Sequence, residues 1–144
     1  MDVIEGTGEI VAEPDWSLAL SDPLEVAAAR EHWRRISADM REAGTLAPGN
    51  AHSMQRLVNA YLVYDRAARE VTENGAVMKP KRGNPKAIAR VSPYFTAMRE
   101  AGSDAALLED KLGVSPYGRN KVGKAQQRKR KSSAAANYLK PVAK

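Results

Sequence analysis

Residues 113–131 read "GVSPYGRNKVGKAQQRKRK". Gly118, four intervening residues, Gly123 and Lys124 reproduce the G-x-x-x-x-G-K spacing of a phosphate-cradling loop, with Ala125 where that loop carries Ser or Thr. Such a loop follows a buried apolar strand, opens a helix, and needs a hydroxyl beside the lysine to hold Mg²⁺. What precedes Gly118 is "LLEDKLGVSPY" (107–117): the end of one helix, stopped by Gly113, then a new helix capped by Ser115 with Pro116 at its opening. Ala125 cannot ligate a metal, and no apolar strand ending in Asp follows. The stretch is a helix boundary, and the short capped helix is expected to run to about Lys124.

The rest of the chain uses the same grammar. In "SDPLEVAAAREHWRRISADMREAG" (21–44), Ser21 or Asp22 is the N-cap, Pro23 sits in the first turn and Gly44 marks the exit. Val26, Ala29, Trp33, Ile36, Met40 and Ala43 follow steps of three and four, giving one apolar stripe. After the connection "TLAPGN", a second helix ends near Asn74 with Gly75 as its stop, and its stripe is Met54, Leu57, Tyr61, Tyr64, Ala68 and Val71. A short loop between two such helices predicts an antiparallel hairpin. Val58 and Leu62 widen the second helix's apolar face. The contact between copies is therefore expected to include Trp33 or the Tyr61/Tyr64 face, together with Val58 and Leu62.

Residues 76–91 change character: two short apolar pieces flank "KPKRGNP", which predicts a hairpin or extended loop with a basic tip. Ser92 caps a third helix with Pro93 at its first position and a stripe of Phe95, Met98, Gly102, Ala105, Leu108 and Leu112. The spacing stays in step across Gly102, so one helix to Leu112 is expected, with a break at Gly102 as the alternative. The fold class is mainly α. The predicted organisation is a flexible acidic arm over 1–20 with Trp16 as its candidate anchor, a helical core over 21–124 and a disordered basic tail over 125–144.

In a chain of 144 residues, 28% are charged and few are aromatic. That leaves one modest core, and burial between copies is expected to supplement it. Cysteine is absent, so there are no disulfides or thiolate metal sites. No apolar run approaches signal or membrane length, which predicts a chain with no membrane role. Net charge is +6, unevenly placed: residues 1–75 carry 7 Lys/Arg against 13 Asp/Glu, residues 76–144 carry 16 against 4, and residues 119–144 carry no acid.

Catalytic patterns are missing. His32 and His52 are lone histidines without metal-ligand spacing, Ser132 and Ser133 have no nucleophile context, and the acids do not converge on a pocket. No enzyme, metal or cofactor is expected. The basic residues do cooperate. Lys79, Lys81, Arg82 and Lys86 form one cluster; Arg119, Lys121, Lys124, Arg128, Lys129, Arg130 and Lys131 form another. Such clusters hold duplex DNA by its phosphates without reading bases. Tyr117 and Tyr138 are too few to stack a single strand.

The order of elements resembles the small terminase subunits of tailed bacteriophages. The resemblance is carried by "EPDW" (13–16), "AREHWRRI" (29–36), "LVNAYLVYDRAAREVTENG" (57–75), "SPYF" (92–95) and "LGVSPYGRNKV" (112–122), the last matching a closing LG-x-[ST]-P-x-x-R motif. Asn50, where that group often has an acid, and Gly102, in a normally glycine-free helix, depart from it. The resemblance implies a non-enzymatic, ring-forming homo-oligomer in the host cell cytoplasm. Such a ring binds double-stranded viral DNA, recruits the large terminase subunit and modulates its ATPase and nuclease. A cytoplasmic DNA-binding regulator or nucleoid-type protein is the alternative.

Overall fold

Asp22 caps the first helix by accepting a 2.9 Å bond from the Leu24 amide, and Pro23 opens it, so α1 spans Pro23–Glu42. The computed structural model describes residues 11–80, 86 and 88–121. α1 leads through a 3-10 turn at Pro48–Asn50 into α2, Ala51–Asn74. Asn50 does not cap α2 with its side chain; it donates instead to the Thr45 carbonyl at 3.1 Å, bracing the α1–α2 loop. An antiparallel ribbon pairs β1, Val77–Met78, with β2, Arg90–Val91, in the register Val77↔Val91. Ser92, whose hydroxyl accepts from the Tyr94 amide, then starts α3, Pro93–Leu112. A short helix, α4, is described over 116–121.

α2 is the central element. On one side α1 runs against it: Arg66 makes a two-bond fork with the buried Glu25, at 2.9 and 2.6 Å. That bonding holds the Glu25 carboxyl below its usual range, outweighing the opposing effect of burial. On the other side α3 lies antiparallel to α2, as shown by Tyr61 donating to Glu109 at 2.6 Å and the Tyr64 ring over Gly102. Burial, reinforced by Glu109, pushes the Tyr61 phenol well above its usual range. The small side chains of Ala101 and Ala105, both buried, let α3 approach α2 closely.

The core gathers Ala29, Trp33, Ile36 and Met40 of α1 with Met54, Leu57, Val58 and Leu62 of α2 and Leu108 and Leu112 of α3. Met40, Met54, Leu57 and Val58 are fully buried, each contributing about 1.5–3 kcal/mol. The α1 stripe is as its spacing predicts, except that Ala43 is exposed. On α2 the buried set is rotated: Val58, Leu62 and Ala67 are buried and Tyr64 is 41% exposed, because two helices rather than one cover this element.

Residues 11–20 are not a free arm. Val11 and Trp16 join the core, and a 3-10 turn at Trp16–Leu18 holds the indole edge-on to Trp33 at 6.0 Å between ring centroids. The remainder of the expected arm, residues 1–10, lies outside the described residues.

α3 is continuous through Gly102. A Cβ placed there would meet Tyr64 Cδ2 and Cε2 at 3.5 Å, an ordinary contact. Gly102→Ala is therefore expected to stabilise the protein by about 0.5–1 kcal/mol in chemical denaturation, the usual helix-interior difference. A loss of stability would show that the Tyr64 ring has no room to accept a methyl group.

Candidate nucleic-acid interface

The α3–α4 corner positions the first cations of the basic run. α3 ends because Gly113 adopts φ 71°, a left-handed conformation that costs a residue with a side chain 1–2 kcal/mol or so. The chain then folds back, with Val114 donating to the Glu109 carbonyl at 2.9 Å. Ser115 ties the corner in two directions. Its hydroxyl donates to the Asp110 carboxylate and accepts from the Gly118 amide at 3.0 Å. Arg119 N donates to the Ser115 carbonyl at 2.9 Å, closing the first turn of α4.

Gly118 is buried in this corner, and the reason for glycine there is steric. A Cβ at this position would lie 2.5 Å from the Asp110 carbonyl oxygen and 3.0 Å from its Cα. Its amide is already committed to Ser115, and it lies inside a helix packed on another helix. The first glycine of the P-loop spacing is therefore a packing glycine. Gly123, Lys124 and Ala125 lie outside the described residues. Gly118→Val is expected to push α4 off α3, with a cost of about 1–3 kcal/mol and faster amide exchange over 115–121. Unchanged exchange there would mean that the corner is not the packed junction described.

The described cations of the two predicted clusters fall in two places. Arg119 and Lys121 are exposed on α4, with Lys121 Nζ 4.2 Å from the centre of the Tyr117 ring. Lys79 and Lys86 are exposed at the ribbon. Lys81, Arg82, Lys124, Arg128, Lys129, Arg130 and Lys131 lie outside the described residues. The ribbon adjoins the start of α3 and α4 packs on its end, so the two groups are separated by the length of that helix, about 30 Å. Sequence order alone does not reveal this separation. A third set, Arg30, Arg34 and Arg41, is exposed on α1, where counting charge by half-chain hides it inside an acidic total. Their four- and seven-residue spacing is the signal that would have found them.

Three residues expected between copies are instead spent inside the protomer: Trp33, Val58 and Leu62 are 3%, 0% and 5% exposed. The spare apolar face of α2 is taken up by the subunit's own packing. An Asp at Val58 or Leu62 would bury an unpaired charge and unfold the subunit rather than only separate copies. Tyr61 is half-buried and bonded to Glu109, and of the five only Tyr64 is exposed, at 41%.

His32 packs its ring 4.9 Å from Tyr61, with Nε2 3.7 Å from Asp65, while His52 is exposed. Among the described residues no group of His, Cys, Asp and Glu has the arrangement to hold a metal, and no helix is long and apolar enough to cross a membrane. Comparison with curated proteins and with solved structures returns no match. A family model described as phage terminase, small subunit, matches residues 29–129, from within α1 through α4 and into the basic run, and the chain belongs to that family.

Proposed function

We propose that the protein is a non-enzymatic DNA-packaging adaptor. Copies assemble into a ring, bind double-stranded viral DNA through phosphate contacts, recruit the large terminase subunit and modulate its ATPase and nuclease in the host cytoplasm. Family membership over residues 29–129 carries this reading. The charge division supports it, since residues 76–144 hold 16 Lys/Arg against 4 Asp/Glu. In this reading the ribbon cations and the run from Arg119 to Lys131 face phosphate, and the partly exposed ring of Tyr64 lies at the contact between copies.

Native mass measurement tests the assembly. The 15.7 kDa chain is expected to give a closed oligomer larger than a dimer at micromolar concentration, and to raise or lower the ATPase of the large subunit when the two are mixed. A dimer with no effect on that ATPase would instead favour a DNA-binding regulator.

A further inference from the structure

Between α2 and α3 runs an open groove of ≈ 350 Å³. Its apolar lining is Ala60, Val63, Ala97, Ala101 and Leu108, mostly small side chains that leave room for large ones, and Val63 is 45% exposed. Glu100 and Asp104 stand on its α3 side, with Arg56 and Asn59 on the α2 side. The two acids are one turn apart on α3, a spacing at which like charges repel. Neither forms a hydrogen bond or ion pair with a described residue. The other two acids of the basic half are engaged, Glu109 by Tyr61 and Asp110 by Ser115. An apolar trough beside two carboxylates that bond no described residue, against one arginine across it, is complementary to a segment that combines large apolar side chains with flanking cations.

The chain contains such a segment, "KSSAAANYLK" (131–140). We propose that residues 134–139 dock in the α2–α3 groove of the same subunit, with Tyr138 and Leu139 on its small-residue lining and Lys140 toward Glu100 and Asp104. The connection is long enough. Asp104 and Glu100 lie 6 and 10 residues back along α3 from Asp110, on which α4 packs, a distance of about 9–15 Å. The 13 residues from Lys121 to Ala134 can span up to about 43 Å. Docking would return the chain past the α3–α4 corner and hold "RKRK" (128–131) as a loop tethered at both ends.

The chain has no cysteine, which permits a clean cross-linking test on the full-length protein. Asn59→Cys with Asn137→Cys places one thiol in the groove and one in the docked segment. Thr72→Cys with Asn137→Cys is the control, since Thr72 is exposed on α2 outside the groove. Under mild oxidation the groove pair is expected to close an intramolecular disulfide about tenfold faster than the control, through its higher effective concentration. Adding Glu100→Lys and Asp104→Lys is expected to bring the rate down to the control value, with helical circular dichroism retained. Equal rates for the two pairs would overturn the proposal, as would a groove-pair rate unmoved by the charge reversal. A disulfide formed only between copies would also overturn it, placing another copy's tail in the groove.

Discussion

Trp16→Ala is expected to lower unfolding stability by about 3–5 kcal/mol, the largest single-residue effect in the protein. Trp16 is 1% exposed although it precedes the first α-helix. Its ring meets Trp33 edge-on at an interplanar angle of 66°, a geometry worth about 0.5–1.5 kcal/mol beyond area burial. Its indole N–H donates to Glu13 at 3.2 Å, so the polar atom is satisfied within the same segment. Removing the indole leaves a cavity against α1 and releases residues 11–20, and thermal unfolding is expected to shift down by roughly 10 °C or more. Trp16→Phe retains most of the apolar contact and is expected to cost about half as much. A shift under about 2 °C for Trp16→Ala would show that the segment does not close the core.

DNA affinity is expected to fall about 10²–10³-fold between 50 and 200 mM salt, if four to six cations per bound subunit neutralise phosphates at a log–log slope of about −0.9 each. Deleting residues 125–144 removes Arg128, Lys129, Arg130, Lys131, Lys140 and Lys144. The deletion is expected to weaken binding to all sequences and flatten the slope, without abolishing binding, because the ribbon cations lie about 30 Å from α4 and are untouched. Lys124→Ala alone is expected to change little, since counterion release counts charges and singles out none. A nucleotide loop makes the opposite forecast. Titrations at several salt concentrations, with calorimetry for ATP, separate the two; tight ATP binding lost in Lys124→Ala would overturn the DNA reading.

The α1–α2–α3 succession was legible because each helix announces its ends chemically. Asp22 and Ser92 cap α1 and α3, prolines open both, and Gly44, Gly75 and Gly113 with positive φ follow α1, α2 and α3. These are local effects, decided within a turn of chain, so a one-dimensional reading reaches them. The α1 stripe was legible for the same reason: α1 buries a single face. The P-loop spacing fails on the same local grounds, and the structure adds the steric reason for Gly118.

What required three dimensions was every question of which face meets which neighbour. Spacing on α2 marks apolar positions but not how many helices will cover them, so Tyr64 read as core and is 41% exposed, while Val58 and Leu62 read as surface for another copy and are buried. Trp16 followed a run with no period, and only the position of Trp33 across from it turns that segment into part of the core. The candidate interface divides in the same way. Cation types and their clustering are properties of composition, legible residue by residue. The placement of Lys79 and Lys86 at one end of α3 and of Arg119 and Lys121 at the other, and the exposed arginine stripe on α1, follow from helix length and packing, which act between residues far apart in the chain.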